Sequence, residues 1–281
     1  MLKIIVDGSA DMPAGWAEKY HFDILPMPIQ IGGKTYYQGE DITPGLFYEL
    51  VQDEGDQPKT AAPSPFRIKE FIEKVCDAGD TVLSTNVSSE MSSTFFMVKQ
   101  VALELADKFN VITFDSKAGS AVLAFMAREV RLREQAGESL DSILKVLKAI
   151  RDKVVVVLTL DSLDFAHRSG RVSFLKAAIA SFLKIKPIII LKDGLMEMSE
   201  MVRTRGKSLE RLVEVVKDQF GVEKVRIAIV HSQDRETAEE LKEMLESVMN
   251  IAELIFTELS ISVAANLGPK TVGFVAMPNH L

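Results

Sequence analysis

Short runs of Val, Ile and Leu alternate along this chain with longer stretches in which apolar residues recur every three or four positions. Lys3-Ile-Ile-Val6, Thr81-Val-Leu83, Asn110-Val-Ile-Thr-Phe-Asp115 and Val154-Val-Val-Val-Leu-Thr-Leu160 read as buried strands. Helical patterns fill the gaps over residues 65–79, 95–105, 119–136 and 140–150. Strands and helices spaced in this way predict an α/β protein with mostly parallel sheets and helices on their faces. The alternation continues through strands at 187–191, 225–231 and 251–255, with helices over 208–220 and 237–248. The chain of 281 residues suffices for two ordinary domains. We place the division before the strongest strand, giving α/β domains over 1–152 and 153–281 with a cleft between them. Ile24 to Ile31 carries Pro26 and Pro28 and is expected at an edge or crossing rather than in a central strand.

One junction is chemically unusual. Between Ser84 and Thr94, seven of eleven side chains are Ser or Thr, and the stretch links a strand to a helix. Helix N-termini present unpaired N–H groups and favour negative charge. Hydroxyls add donors without adding a formal charge. Ser92, Ser93 or Thr94 could simply cap the helix, but a cap uses one hydroxyl and this turn holds several more. A carboxylate or phosphate is the anion that such a turn would hold.

The remaining composition narrows the function. The net charge is −7 and no basic run stands out, so nucleic acid has no electrostatic footprint here. The single cysteine, Cys76, falls in an amphipathic helical pattern and reads as a buried thiol. The N-terminus reads as a first strand rather than a signal peptide. The most apolar window, 177–191, is broken by Lys184, Lys186 and Pro187, which argues against membrane insertion and for a soluble cytoplasmic protein. Phe174 to Ile185 reads as a helix whose only charges, Lys176 and Lys184, share one narrow face. Such a helix is core or lines an apolar cavity.

No G-x-G-x-x-G, P-loop or G-x-S-x-G motif occurs. The four histidines show no metal-ligand spacing, so neither cofactor nor metal is expected. Asp7 with Asp11, and Asp161 with Asp164, could form acid/base pairs, although caps and turns account for such residues more simply. Anion-holding turns beside much apolar lining suit an amphiphile with an anionic head.

Further motifs carry a resemblance: Asp7-Gly-Ser-Ala-Asp-Met-Pro13, Lys59-Thr-Ala-Ala-Pro-Ser64, Ser88-Ser-Glu-Met-Ser-Ser-Thr94, Asp115-Ser116, Ser169-Gly-Arg-Val-Ser173, Leu183-Lys-Ile-Lys-Pro-Ile188, Asp193-Gly194, Arg203-Thr204 and Gly268-Pro-Lys-Thr-Val-Gly273. In this order and spacing they resemble the DegV family, the fatty-acid-binding subunits of bacterial fatty acid kinase. The resemblance implies a palmitate- or oleate-like long-chain fatty acid at the interface of two α/β domains. Thr60 and Ser92 would hold its carboxylate, with Ser93 and Thr94 in the same turn, and the 174–185 helix would line the tail tunnel. It also implies a non-catalytic role, with a partner kinase forming an acyl phosphate from ATP for phospholipid synthesis. Arg171 and Arg203 match family arginines near the head group. The chain departs from the family where a histidine is common, which here is Asn266, and also at Gly8, Ser93 and Lys270. Asn266 still donates hydrogen bonds but takes no proton, and Lys270 is a candidate to restore the charge. A stand-alone lipid carrier, or an enzyme on a small phosphorylated substrate using Asp7 and Asp11, are the competing readings.

Overall fold

The computed structural model describes residues 2–54, 57–173 and 185–281. The expected 174–185 helix lies outside them except for Ile185. The chain opens with β1 (Leu2–Asp7), a short α1 (Trp16–Lys19), β2 (Asp23–Leu25), β3 (Pro28–Ile31) and β4 (Lys34–Tyr37). It continues through α2 (Pro44–Glu54), β5 (Lys59–Thr60), α3 (Pro65–Val75), β6 (Thr81–Asn86), α4 (Thr94–Glu104) and β7 (Asn110–Asp115). Two helices follow, α5 (Ala121–Gln135) and α6 (Leu140–Lys153).

From β8 (Val155–Thr159) onward the strands build a different sheet. It takes in β9 (Val172–Ser173), which follows α7 (Asp164–Ser169), then β10 (Lys186–Lys192) and β11 (Leu195–Val202). After α8 (Arg205–Phe220) come β12 (Lys224–His231), α9 (Arg235–Val248), β13 (Asn250–Glu258), α10 (Ile261–Leu267) and β14 (Val272–Pro278).

The first sheet has the order β2-β1-β6-β7 and is parallel throughout. Helix crossovers between successive strands allow that arrangement. The second sheet, β13-β12-β14-β8-β10-β11-β9, departs from the parallel expectation. Only β12 with β13 and β11 with β9 are parallel; its other four pairings are antiparallel. The reason is local. Asp193 and Gly194 both take positive φ and close a two-residue hairpin between β10 and β11. The final strand does not cross back to the first sheet but inserts between β12 and β8. Gly273 permits this, because a Cβ there would stand 2.4 Å from the Val157 carbonyl. In the small sheet β4-β3-β5, β3 is the middle strand despite Pro28. Proline is tolerated because it is the first residue of that strand.

Side-chain alternation then stacks the layers. Helices α3 and α4 cover one face of the first sheet through Ile68, Ile72, Val98 and Val101. Cys76 packs there as a free thiol, and burial pushes its pKa up to about 11. Helix α5 is buried from Ala121 to Arg131 and lies between the two sheets. On β12, Ala228 and Val230 face α5, while Ile227 and Ile229 face Leu209, Leu212 and Leu241 of α8 and α9. Among the described residues, no helix is long and apolar enough to cross a membrane.

Two polar ties cross the central layer. Arg226 on β12 donates to Glu129 on α5 at 2.5 Å, both side chains being at most 10% exposed. Next to it, as part of the same tie between α5 and the second sheet, Arg128 makes a two-bond pair with Glu253 of β13. The second tie is Asp11, which accepts from the Ser120 hydroxyl before α5 and from the Ser260 amide before α10, the latter at 2.6 Å. Burial outweighs these bonds and pushes Asp11 up to about 6 from 3.8.

Breaking the first tie strands a buried guanidinium, so Glu129→Ala should lower unfolding free energy by about 3–5 kcal/mol in urea titration. Asp11 gives a pH signature. Between pH 3.8 and 6 the folded chain holds a proton that the unfolded chain has released, so this group makes stability fall as pH rises through that window. The loss amounts to about 3 kcal/mol. Unfolding free energies from urea titration should fall between pH 4 and pH 7 by about 2–3 kcal/mol more in the wild type than in Asp11→Asn.

Candidate functional site

A cavity of about 590 Å³ lies where loops at the C-terminal ends of the first sheet meet β8, the β10–β11 hairpin and α10. Parallel sheets concentrate sites at this edge, because the helix N-termini and loop backbones gather there. Its apolar walls come from Val156 and Leu158 of β8, Leu191 and Met196 of the hairpin, and Phe96 of α4. Met27, Val87, Leu259 and Leu267 complete them from the loops and α10. The hairpin tip is fixed against the hydroxyl-rich turn. Gly194, at φ +86, approaches so closely that a Cβ would stand 2.7 Å from the Ser88 hydroxyl and 2.9 Å from the Lys117 stem. Lys117 in turn pairs with Glu90 at 2.9 Å and donates to Ser89 at 3.1 Å.

Of the residues singled out from the sequence, Thr60, Ser92, Ser93, Arg171 and Asn266 line this cavity together. Thr94 does not line it. It is fully buried behind Ser92, with the two hydroxyls 2.9 Å apart and the Thr94 amide donating to Ser92 Oγ at 3.2 Å. Arg203 is exposed just before the Thr204 cap of α8 and lines neither this cavity nor the neighbouring cleft. Lys270 also lines neither; its backbone is tied to Ser232 and Arg205.

The hydrogen-bond directions separate two kinds of polar surface. Asn266 Nδ2 donates to Thr60 Oγ1 at 3.2 Å and to the Ser262 carbonyl at 2.6 Å. The carbonyl fixes which end of the amide is nitrogen, since oxygen there would face oxygen. Both Asn266 protons are therefore engaged within the protein. Thr60 accepts one of them, which leaves its own proton to donate outward. Ser92 accepts from the Thr94 amide and, with Thr94 Oγ1 as donor, likewise keeps its proton for the cavity. Arg171 lies beside them with one guanidinium nitrogen held by the Ser169 carbonyl, so further N–H groups remain for an anion.

Sequence reading did not find Ser9, Ser120 and Ser262, which also line the cavity. The Asp7–Ser9 and Asp11–Ser120 pairs sit among caps and turns in sequence, and only folding brings residues 9, 120 and 262 together. Asp7, wholly buried, accepts from the Ser9 amide and hydroxyl and from the Val87 amide. Burial raises its pKa despite these bonds.

The same head end opens onto a second cleft of about 610 Å³, which shares Thr60, Arg171 and Asn266. It is walled by the Gly32-Gly33 turn, Gln57 to Lys59, and Arg168 with Ser169. Lys59, Arg168 and Arg171 bring three cations and no described acidic residue lines it, against a whole-chain charge of −7. Among the described residues, no group of three or more His, Cys, Asp or Glu side chains is placed to hold a metal ion.

The DegV family model, described as an uncharacterised protein, matches residues 1–279. A DegV domain-containing protein of Listeria innocua is 27% identical over 274 residues, covering 97% of this chain and 96% of its own. Among solved structures, a DegV family protein of Thermus thermophilus, reported for fatty acid binding, aligns at TM-score 0.89 and 25% identity over 99% of both chains. A fatty acid binding DegV family protein of Streptococcus agalactiae aligns at 0.87 and 26% identity, again over 99% of both. Its sequence motifs, its α/β architecture and a match over almost its whole length agree: this chain belongs to the DegV family.

Proposed function

We propose that this protein binds a long-chain fatty acid, with the carboxylate at Thr60 and Ser92 and the tail along the apolar walls. The observation that carries the reading is the split in proton direction around one cavity. At the Thr60–Ser92–Arg171 end, the Thr60 proton and guanidinium N–H groups are left to donate, and the Ser92 proton joins them with Thr94 Oγ1 as donor to Ser92. A carboxylate accepts only, so it fits that end and not the wall at Ser9 and Ser262, where the serine protons are already engaged. Neutral hydroxyls hold the anion while leaving an oxygen open to attack. Each buried methylene adds about 0.8 kcal/mol, so a tail of more than a dozen carbons dominates affinity. Fatty acid binding by the Thermus and Streptococcus relatives supports the same assignment.

In this reading the protein is a carrier rather than a catalyst. The head end adjoins the cationic cleft, where Lys59, Arg168 and Arg171 suit the approach of a phosphoryl group delivered by a partner kinase using ATP. Ser93 stands beside Ser92 as a further donor, Arg203 serves the partner's approach from outside the cavity, and the break between the two binding units falls at the junction of α6 and β8. Asp7 and Asp11 accept backbone N–H groups and act as parts of the frame, which leaves the small-substrate enzyme without its proposed acid and base.

Mass spectrometry of an organic extract of the purified protein should show a stoichiometric fatty acid. A protein that carries none and ignores added palmitate and oleate would sink the reading. Thr60→Val keeps the shape and removes the donor. It should raise Kd roughly 10- to 100-fold, as expected for a hydrogen bond to a charged group worth about 1.5–3 kcal/mol, and an unchanged Kd would remove Thr60 from the site. Phosphate transfer to the bound acid, when the protein is mixed with a fatty acid kinase and ATP, tests the coupling.

A further inference from the structure

A second polar part of the cavity wall has a chemistry that a plain hydrocarbon tail does not use. Ser9, Ser120 and Ser262 belong to it, each at most 9% exposed. They converge on one segment of chain: the Ser120 amide donates to the Ser9 carbonyl at 3.0 Å, and the Ser262 hydroxyl donates to the Gly8 carbonyl at 2.9 Å. Each hydroxyl proton points away from the cavity. Ser9 donates to Asp7 at 2.5 Å, Ser120 donates to Asp11, and Ser262 donates to Gly8. The directions of the first two hold for ionised carboxylates, which can only accept. Asp7 also accepts from the Val87 amide and Asp11 from the Ser260 amide, both at 2.6 Å, and an amide N–H has no alternative to donating.

A serine hydroxyl has one proton and two lone pairs. With the protons engaged, the three serines offer the cavity lone pairs only. Methylene groups lying against them leave those acceptors unmatched, whereas a ligand hydroxyl supplies the missing donor. The fold also fixes where along the ligand that hydroxyl belongs. Ser262 precedes Asn266 by four residues on α10, about one helical turn or 5.4 Å, and Asn266 is bonded to Thr60 at 3.2 Å. The acceptor group therefore stands a few carbons beyond a carboxylate seated at Thr60.

We propose that the cavity selects fatty acids carrying a hydroxyl close to the head, of the 3-hydroxy class, with that hydroxyl donating into the group formed by Ser9, Ser120 and Ser262. The inference rests on the carboxylate position argued above. A ligand bearing its hydroxyl at the far end of the chain brings its donor to apolar walls and gains nothing. Selectivity arises because one polar match inside an apolar cavity discriminates more strongly than one methylene more or less.

The test is calorimetric titration of delipidated full-length protein at pH 8, where Asp11 is ionised, with hexadecanoic acid, each enantiomer of 3-hydroxyhexadecanoic acid and 16-hydroxyhexadecanoic acid. One 3-hydroxy enantiomer should bind roughly 5- to 10-fold more tightly than the plain acid, as for one net hydrogen bond, and the 16-hydroxy acid no more tightly than the plain one. That ratio should fall to near one in Ser262→Ala and Ser120→Ala. If Ser120→Ala does not fold, because Asp11 has lost its donor, Ser262→Ala carries the comparison alone. Equal binding of the plain and both 3-hydroxy acids, or a preference that survives Ser262→Ala, overturns the inference and leaves fatty acid binding standing. Failure of every acid to bind overturns both.

Discussion

Two buried carboxylates decide the polarity of everything around the cavity. Asp7 and Asp11 are almost wholly removed from water, and a carboxylate in that position must be surrounded by donors. The donors available are the amides of Ser9, Val87 and Ser260 and the hydroxyls of Ser9 and Ser120. These come from the first loop, the hydroxyl-rich turn, the start of α5 and the approach to α10. Satisfying two charges thus draws four chain segments to one place. It also fixes the hydroxyl protons on that side, so the cavity acquires a face that accepts and a face that donates. Neither carboxylate needs to touch a ligand to have this effect.

The donating face depends on residues one step back from it. Thr60 presents its proton because Asn266 occupies its oxygen, and Asn266 is held in turn by the Ser262 carbonyl of its own helix. Ser92 is aligned in the same manner by Thr94, which is fully buried. Thr94 is thus a positioning residue of the turn rather than part of its surface. Ser262 belongs to both faces, because its carbonyl anchors Asn266 while its hydroxyl oxygen lies on the accepting side. The short helix α10 therefore couples the two.

How much of this could be read in advance follows from the range of the interactions. Periodicity carried the parallel first sheet and the amphipathic α3, α8 and α9, because these depend on near neighbours in sequence. The antiparallel pairings of the second sheet were not legible. Two of them depend on β14 entering between β12 and β8, a matter of one close approach at Gly273 rather than of pattern, and that of β10 with β11 depends on the Asp193-Gly194 hairpin. Helix α10 escaped notice because Ile261-Ser-Val-Ala-Ala-Asn-Leu267 is short and nearly apolar all round, giving no amphipathic signal. With it went Ser262. Ser9 and Ser120 were hidden for another reason: a lone serine in a turn has no signature of its own, and Ser120 meets Asp11 only across a long stretch of chain. Thr60 was found only through resemblance, Ser92 also through its hydroxyl-rich turn, and their proton directions depend on long-range hydrogen bonds and buried neighbours.

The presence of Asn266, where the resemblance leads one to expect a histidine, acquires a physical meaning from this geometry. A histidine at this position would titrate near neutrality and would alternate between one donor and two. Asn266 has two donors at every pH, and both are engaged, one on Thr60 and one on Ser262. The head end is then preorganised without a charge of its own, and binding of a carboxylate there carries no proton linkage from this residue. Positive charge is supplied instead from the cleft next door, by Arg171 at the shared wall and by Lys59 and Arg168 beyond it. Under the proposed function, holding the acid and countering the charge of an approaching phosphoryl group fall to different side chains. A single histidine would combine the two roles and make both depend on pH.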